Sequence, residues 1–392
     1  SHNLPGADPR RLGLGTQHQC AGSTQLNWDG DGQGGTASEP STKSAAAQAA
    51  APWKNNGNLK LVLEKGRYGN MQKVHANVDA SYSPEGLDVP TISFTTDNMD
   101  FQASARAKGD RLEIDKIQLD QGQAKFASGY VSIPFVWSNL GTSAPIIPAS
   151  GKVSATVQVE NLDVKKLAEN FGMKSAVSGI LNASLDASGT VADLNTRLAV
   201  QAQNLRNAQW PKMDPASFEL TAQIAQGRLT ALGKLQQARI QTLEITANMP
   251  LDVPRIVRAR GFPDDTPVIA KARLPRSSVN FIRQFVPEIE QLDGEVGMDV
   301  DVNGTIGRPV FNGAADFKVN VARFANATIP ALRTLDAHFV FAQDTLTLQR
   351  FSGELAGGSF TAGGRITFPK LTQPTLDLQL TAQSALVARN GK

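Results

Sequence analysis

The sequence predicts a mostly β protein built from a long, repetitive antiparallel sheet. Apolar and polar residues alternate through stretches such as residues 344–369, and a period of two gives each strand one apolar face. Turn signals such as Lys108-Gly109-Asp110 and Gly357-Gly358 separate these stretches about every 8–12 residues. The pattern recurs along the chain, which indicates a repeat array.

The repeat is visible when residues 110–134 are aligned with residues 344–369. A weaker copy opens at Gly227, so the three copies begin 117 residues apart. A second marker agrees, because Gly189-Thr190 and Gly304-Thr305 are 115 residues apart. The sequence therefore predicts a β array with a period near 117 residues.

Composition excludes several classes of function. The chain has 392 residues with 39 basic and 36 acidic side chains, which are interspersed, whereas nucleic-acid binding needs clustered cations. A single cysteine, Cys20, excludes an internal disulfide. No apolar run approaches the roughly 18 residues of a membrane helix. Because the chain does not begin with Met, we expect a fragment or a processed form.

The chain divides into two compositional parts. Residues 1–52 are rich in Gly, Ser, Ala and Gln without sustained periodicity, which favours a disordered linker or an insertion. Residues 53–392 carry the repeats, at about 53–150, 151–268 and 269–392. Within them, residues 137–150 and 251–268 are predicted as loops.

Each repeat also predicts one short helix. Residues 161–172 begin with Asp163 as N-cap, and residues 276–288 begin with Ser277 or Ser278 and stop at Pro287. We expect each helix to cover an end or a seam of the sheet.

No constellation of residues supports catalysis or metal binding. His2, His18, His75 and His338 do not lie at ligand spacing, and His75 and His338 are predicted at the surface. Asp299 and Asp301 share one strand face, where a solvated face is the favoured interpretation. Residues 27–35 lack the acidic twelfth position of a calcium loop. We therefore predict no enzyme activity, metal or cofactor.

The apolar face itself is the candidate functional feature. It can be the dry core of a flattened β-solenoid, or the lining of a long sheet folded into a gutter, and periodicity alone leaves both open. The residues predicted to line it are Leu112, Ile114, Phe126, Val131, Ile133, Leu346, Leu348, Phe360, Ile366, Phe368, Leu376, Leu378 and Leu380. Leu378→Asp or Phe360→Asp is expected to leave the sheet folded if these residues line a gutter, whereas unfolding would indicate a dry core.

Several stretches resemble the AsmA-like/TamB superfamily of bacterial envelope proteins, and most of all its TamB (translocation and assembly module) branch. The resemblance is specific over residues 265–392, and residues 177–194 fit less well. It is carried by LDGEVGMDVDVNGTIGRPVFNGAADF at 292–317, SVNFIRQFVPEIEQLDG at 278–294, residues 344–369, and PTLDLQLTAQSALVARN at 374–390.

The resemblance implies an elongated open groove (a β-taco) and a function in lipid transport. Such a protein spans the periplasm of a Gram-negative-type bacterium, with an inner-membrane anchor expected outside this chain. It shields phospholipid acyl chains between the inner and outer membranes, and it supports outer-membrane protein assembly with an Omp85-family partner. The alternatives are a closed, adhesin-like β-solenoid without lipid binding, and a scaffold whose exposed strand edge pairs with client strands.

Overall fold

The computed structural model describes residues 21–30, 56–68, 71–97, 99–121, 124–170, 175–367 and 375–383. These residues are mostly β-strand, and strands that follow each other in the chain pair antiparallel. The predicted fold class is thus confirmed. By its contacts the chain divides into two compact units, residues 1–175 with 181–196, and residues 176–180 with 197–392.

The first unit contains an antiparallel run in which each strand from β1 to β8 pairs with the next. A 3-10 helix (Trp137–Asn139) follows β7, and helix α1 (Val164–Asn170) follows β8. The strands are β1 (Ala21–Gly30), β2 (Gly57–Tyr68), β3 (Met71–Ser83), β4 (Gly86–Thr95), β5 (Asp100–Lys108), β6 (Arg111–Gln121), β7 (Ala124–Pro134) and β8 (Lys152–Asp163). The division between the units runs through the next two strands, β9 (Val177–Thr190) and β10 (Leu194–Asn207).

The second unit continues with strands that again pair in chain order. Helix α2 (Val253–Ala259) and a 3-10 helix (Val279–Gln284), which we call the cover helix, interrupt the run. The strands are β11 (Ala216–Ala225), β12 (Arg228–Gln237), β13 (Ile240–Pro250), β14 (Ile269–Ser278), β15 (Ile289–Gly304), β16 (Pro309–Phe324), β17 (Leu332–Gln343), β18 (Thr345–Leu355), β19 (Gly358–Thr367) and β20 (Thr375–Gln383). Within the described residues, β20 pairs with β19 alone, so this sheet is open.

The sequence period of 117 residues corresponds to six strands. Asp110, Gly227 and Asp344 each lie in the turn before β6, β12 and β18. The inserted helices keep the same interval, because α1 follows β8 and the cover helix follows β14. Gly189 and Gly304, which end β9 and β15, have φ of 104° and 95°. This is a backbone conformation that favours glycine and explains the second repeat marker.

Both predicted helices are present with their predicted caps. The Lys166 amide donates to Asp163 Oδ1 at 3.0 Å, and the Asn280 amide donates to Ser278 Oγ at 3.2 Å. Both carboxylate and hydroxyl caps satisfy amides that have no partner within the helix. The second element is a 3-10 helix, because it makes little more than one turn before Pro287.

Two predictions of irregular structure were wrong. Residues 251–268 contain helix α2 (Val253–Ala259), with Pro254 in its first turn. Asp252 is the N-cap, and its Oδ1 accepts a hydrogen bond from the Arg255 amide at 3.0 Å. That cap and proline were a readable helix signal. In the first segment, Ala21–Gly30 forms β1 against β2, with Leu26 opposite Leu61. Pairing with β2 explains the order there, and the rest of residues 1–52 lies outside the described residues.

Each unit has one small apolar cluster where an inserted helix meets the sheet. In the second unit, the fully buried Val279 of the cover helix packs with Leu292, Val319, Ala322 and Leu335. In the first unit, Leu167 of α1 packs against Val74 and Met99, with Leu63, Phe94 and Leu119 around them. The predicted covering role of the helices thus agrees with their packing.

Val279→Ala tests how much the cover helix contributes to stability. Deleting two fully buried methyl groups should lower the opening free energy of β15 to β17 by about 2 kcal/mol. Hydrogen–deuterium exchange across these strands measures that quantity. Val257→Ala, at a position 44% exposed in α2, is the matched control and should change it little. Equal effects of the two substitutions would contradict the packing role.

Candidate apolar binding face

One face of the second unit carries a row of apolar residues and glycines that runs across all its strands from β11 to β20. The cross-strand partners from β11 to β20 define this central row: Leu220, Gly233, Ile245, Ala272, Val300, Gly313, Phe341, Leu346, Ile366 and Leu376. Ten strands spaced by about 4.8 Å give a row roughly 43 Å long. The apolar alternation of the individual strands therefore adds up to one continuous surface.

Two further rows run beside it. The outer row consists of Ala222, Ala231, Ala247, Ala270, Val302 and Phe311. The inner row, on the side of the cover helix, consists of Leu274, Met298, Ala315, Phe339, Leu348, Gly364 and Leu378. We call the three rows together the open strip, which is about 14 Å wide because rows are two residues apart along a strand.

The open strip is only partly shielded from solvent. Exposure along the central row ranges from 6% at Val300 to 46% at Ile245 and 64% at Leu376. Phe341, Leu346 and Ile366 are half-buried. Leu378 and Leu380 on β20 are 54% and 71% exposed. Within the described residues, these large apolar side chains therefore present solvent-exposed surface.

The opposite face of the same strands is charged. Lys271 Nζ lies 2.7 Å from Asp299 and 3.6 Å from Asp301, and Arg273 also pairs with Asp299 at 4.0 Å. The hydrogen bond to Asp299, more than the attraction of both carboxylates, raises the pKa of Lys271. Asp299 and Asp301 are thus ion-paired side chains on a solvated face, as predicted.

The two described strand histidines are also on exposed or charged surface. His338 Nδ1 lies 2.7 Å from Asp316 Oδ1 on the charged face, and His75 is exposed. Within the described residues, no group of three His, Cys, Asp or Glu is placed to hold a metal ion.

The first unit has a similar apolar face. Leu112 pairs with Ile133, and Ile114 pairs with Val131, in neighbouring rows. The second of these rows extends from Val89 through Ala105 to Ala155. Phe126 is different, because β7 shifts register there and places Ala127, not Phe126, opposite Leu119.

The first unit also holds a cleft with a mixed polar and apolar lining. It has a volume of about 800 Å³ and is lined by groups such as Asn58, Ser81 and Lys108. Arg106 in its wall already pairs with Asp88 at 3.2 Å. Asn58, Ser81, Asp88 and Arg106 form one cross-strand row of this lining. Tyr82, Leu87 and Ala107, which also line the cleft, belong to the row that contains Leu112.

The predicted lining residues of the last repeat divide into two groups. Leu346, Leu348, Ile366, Leu376 and Leu378 belong to the open strip, and Leu380 pairs beside them with Ala362. Phe360 instead packs against Phe351, with ring centroids 5.8 Å apart, and against the cluster under the cover helix. Phe368 lies outside the described residues. Sequence reasoning did not name Ile245, Phe339 and Phe341, although their strands carry the same alternation.

Comparison with known proteins does not identify a ligand for the open strip. No protein-family model matches the chain, and no curated protein or solved structure is significantly similar to it. A search of the described helices finds none with both the length and the apolarity that a membrane crossing requires.

The two groups of lining residues predict different consequences of the same substitution. Leu378→Asp places a carboxylate in a half-solvated position and should leave the second unit folded. Phe360→Asp removes a partly buried ring from its packing against Phe351 and the cluster under the cover helix and puts a charge there, which should cost about 2 kcal/mol or more. Circular dichroism and urea unfolding of the two variants measure this difference. Equal loss of structure in both would contradict the assignment of Leu378 to an accessible strip.

Proposed function

We propose that this chain is part of a lipid conduit, in which the open strip shields phospholipid acyl chains on their way between the inner and outer membranes of a bacterial envelope. The observation that carries the proposal is the continuous, partly exposed apolar face from β11 to β20, backed by a charged face. Acyl chains need apolar cover while their head groups stay in water. A sheet with one apolar face supplies both without any catalytic group.

The dimensions of the strip suit this ligand. One leaflet of a bilayer contributes about half of a hydrocarbon core roughly 30 Å thick. The central row, roughly 43 Å long, therefore exceeds the length of one acyl chain more than twofold. Chains can lie across the strands and pass from one strand to the next without leaving apolar surface.

The cellular setting of the proposal comes from the sequence resemblance to AsmA-like/TamB proteins. It supports a periplasmic location, an inner-membrane anchor outside this chain, and an Omp85-family barrel protein as partner. Transport of phospholipid and support of outer-membrane protein assembly both fit such a setting.

The edge of β20 favours assembly of outer-membrane proteins as a second candidate function. Among the described residues, β20 pairs with β19 at one edge, and no partner is described for its other edge. A client strand could add to this edge by backbone hydrogen bonding. Such a role depends on the edge and not on the open strip, so substitutions in the two places separate the functions.

The closed solenoid is the less suitable alternative. In a closed fold a second apolar layer would cover Leu346, Ile366 and their neighbours, and a dry core tolerates few gaps. Their half-buried state favours a surface that is filled by a ligand.

Native mass spectrometry with lipid extraction tests the proposal. The protein, purified from bacterial cells, should carry phospholipid that is reduced by Leu376→Asp combined with Leu378→Asp. Loss of contact with two methylene groups, at about 0.8 kcal/mol each, corresponds to a reduction of roughly tenfold.

Gln379→Asp is the matched control. Gln379 lies on the same strand with its side chain on the opposite face, paired with Gly363, so this variant should retain its lipid. A folded protein that is free of lipid, or equal lipid loss in the control, would overturn the conduit function.

A further inference from the structure

The cover helix closes one side of the apolar face in the second unit. Val279 is fully buried, and it and Ile282 contact the cluster that contains Val319 and Leu335. Val319 and Leu335 are cross-strand partners on the same face as the open strip, further toward the β16–β17 connection. The apolar face is therefore continuous, but the helix occupies part of it.

A partly buried polar network ties this helix to the β10–β11 connection. The Asp214 amide donates to Gln284 Oε1 at 2.9 Å, and Gln284 Nε2 donates to Asp214 Oδ2 at 3.0 Å. Gln237 Nε2 donates to the Asp214 carbonyl at 2.8 Å, and Arg239 Nε lies 2.7 Å from Asp214 Oδ2. Gln284 is 6% exposed, and hydrogen bonds this well shielded fix a single geometry. We call these four side chains the anchor.

An aromatic contact reinforces the anchor from the same connection. The Trp210 ring meets Phe285 edge-on, with centroids 5.0 Å apart and planes at 82°. Phe285 in turn lies 6.4 Å from Phe281 on the cover helix. The connection thus holds both the end of the helix and the residue after it.

The first unit has an apolar contact at the equivalent place in the repeat. Leu167 of α1 packs against Met99, which lies between β4 and β5. Met99 precedes α1 by four strands, and the β10–β11 connection precedes the cover helix by four strands as well. An apolar contact between the inserted helix and a connection four strands earlier therefore occurs in both units.

We infer that the cover helix is the wall that sets the width of the lipid-binding strip, and that the anchor holds this wall in place. The inference rests on the proposed lipid function. With the wall in place, hydrocarbon reaches Phe341 and its neighbours but not Phe360. Without the anchor, the apolar surface under the helix joins the strip and accepts lipid.

Photocrosslinking tests this with a matched pair of positions. p-Benzoylphenylalanine replaces either Phe341, in the strip, or Phe360, under the cover helix, in the full chain. The protein is incubated with phosphatidylethanolamine/phosphatidylglycerol vesicles that contain a phospholipid with a fluorescent head group. We expect crosslinking at 341 to exceed that at 360 by about fivefold or more, as a shielding free energy near 1 kcal/mol implies.

Weakening the anchor should remove this preference. With Gln284→Ala, crosslinking at 360 should rise until the ratio falls to about two or less, as loss of buried hydrogen bonds predicts. Arg239→Ala, at a side chain 47% exposed, should give a smaller change in the same direction and leave the fold intact. If circular dichroism shows Gln284→Ala to be unfolded, Arg239→Ala and Trp210→Ala decide the question.

The outcomes separate the two proposals. Equal crosslinking at 341 and 360 in the otherwise unchanged protein, or a ratio that no anchor variant alters, would overturn the wall while leaving lipid binding intact. Absence of crosslinks at both positions would overturn the lipid function, and the wall with it.

Discussion

When strands pair in chain order, the backbone hydrogen bonds of the sheet are satisfied, but the polarity of its two faces still has to suit what each face contacts. Here the strand register determines which residues lie on the apolar face and which lie on the charged face. Because side chains alternate with a period of two, the pairing that puts Leu346 opposite Ile366 also puts Thr347 opposite Arg365. A slip of one residue in any strand would place charge on the apolar face. The register is therefore the constraint on which both faces of the array depend.

The apolar face is buried in one part and partly exposed in another. At one side it is buried by an inserted helix, through Val279 in the second unit and Leu167 in the first. Elsewhere it stays partly open, with Ile245 and Leu376 well exposed. An exposed apolar surface of this extent favours association with an apolar partner. The charged face keeps its ion pairs, such as Lys271 with Asp299, in solvent, where they contribute little to stability.

Alternation and turn residues were sufficient to predict the strands, the repeat and the caps at Asp163 and Ser278, because these are local properties. They also placed Leu346, Ile366 and Leu378 on one face. What could not be predicted depends on contacts distant in sequence. Phe360 has the same alternation as Leu378, but only the folded structure shows that Phe360 is partly buried against the cluster under the cover helix while Leu378 is exposed. Likewise, β1 forms because β2 offers it an edge, which no pattern in residues 21–30 reveals.

The most direct measurement is contact between acyl-chain protons and the methyl groups of the strip. Isotope-filtered nuclear Overhauser spectroscopy on methyl-labelled protein with unlabelled phospholipid provides it. If the open strip binds acyl chains, contacts to Ile245, Leu346 and Ile366 are expected, and none to Val319 or Leu335 beneath the cover helix. Contacts confined to methyl groups of the charged face, such as Thr347 and Val340, would contradict it, as would the absence of any contact.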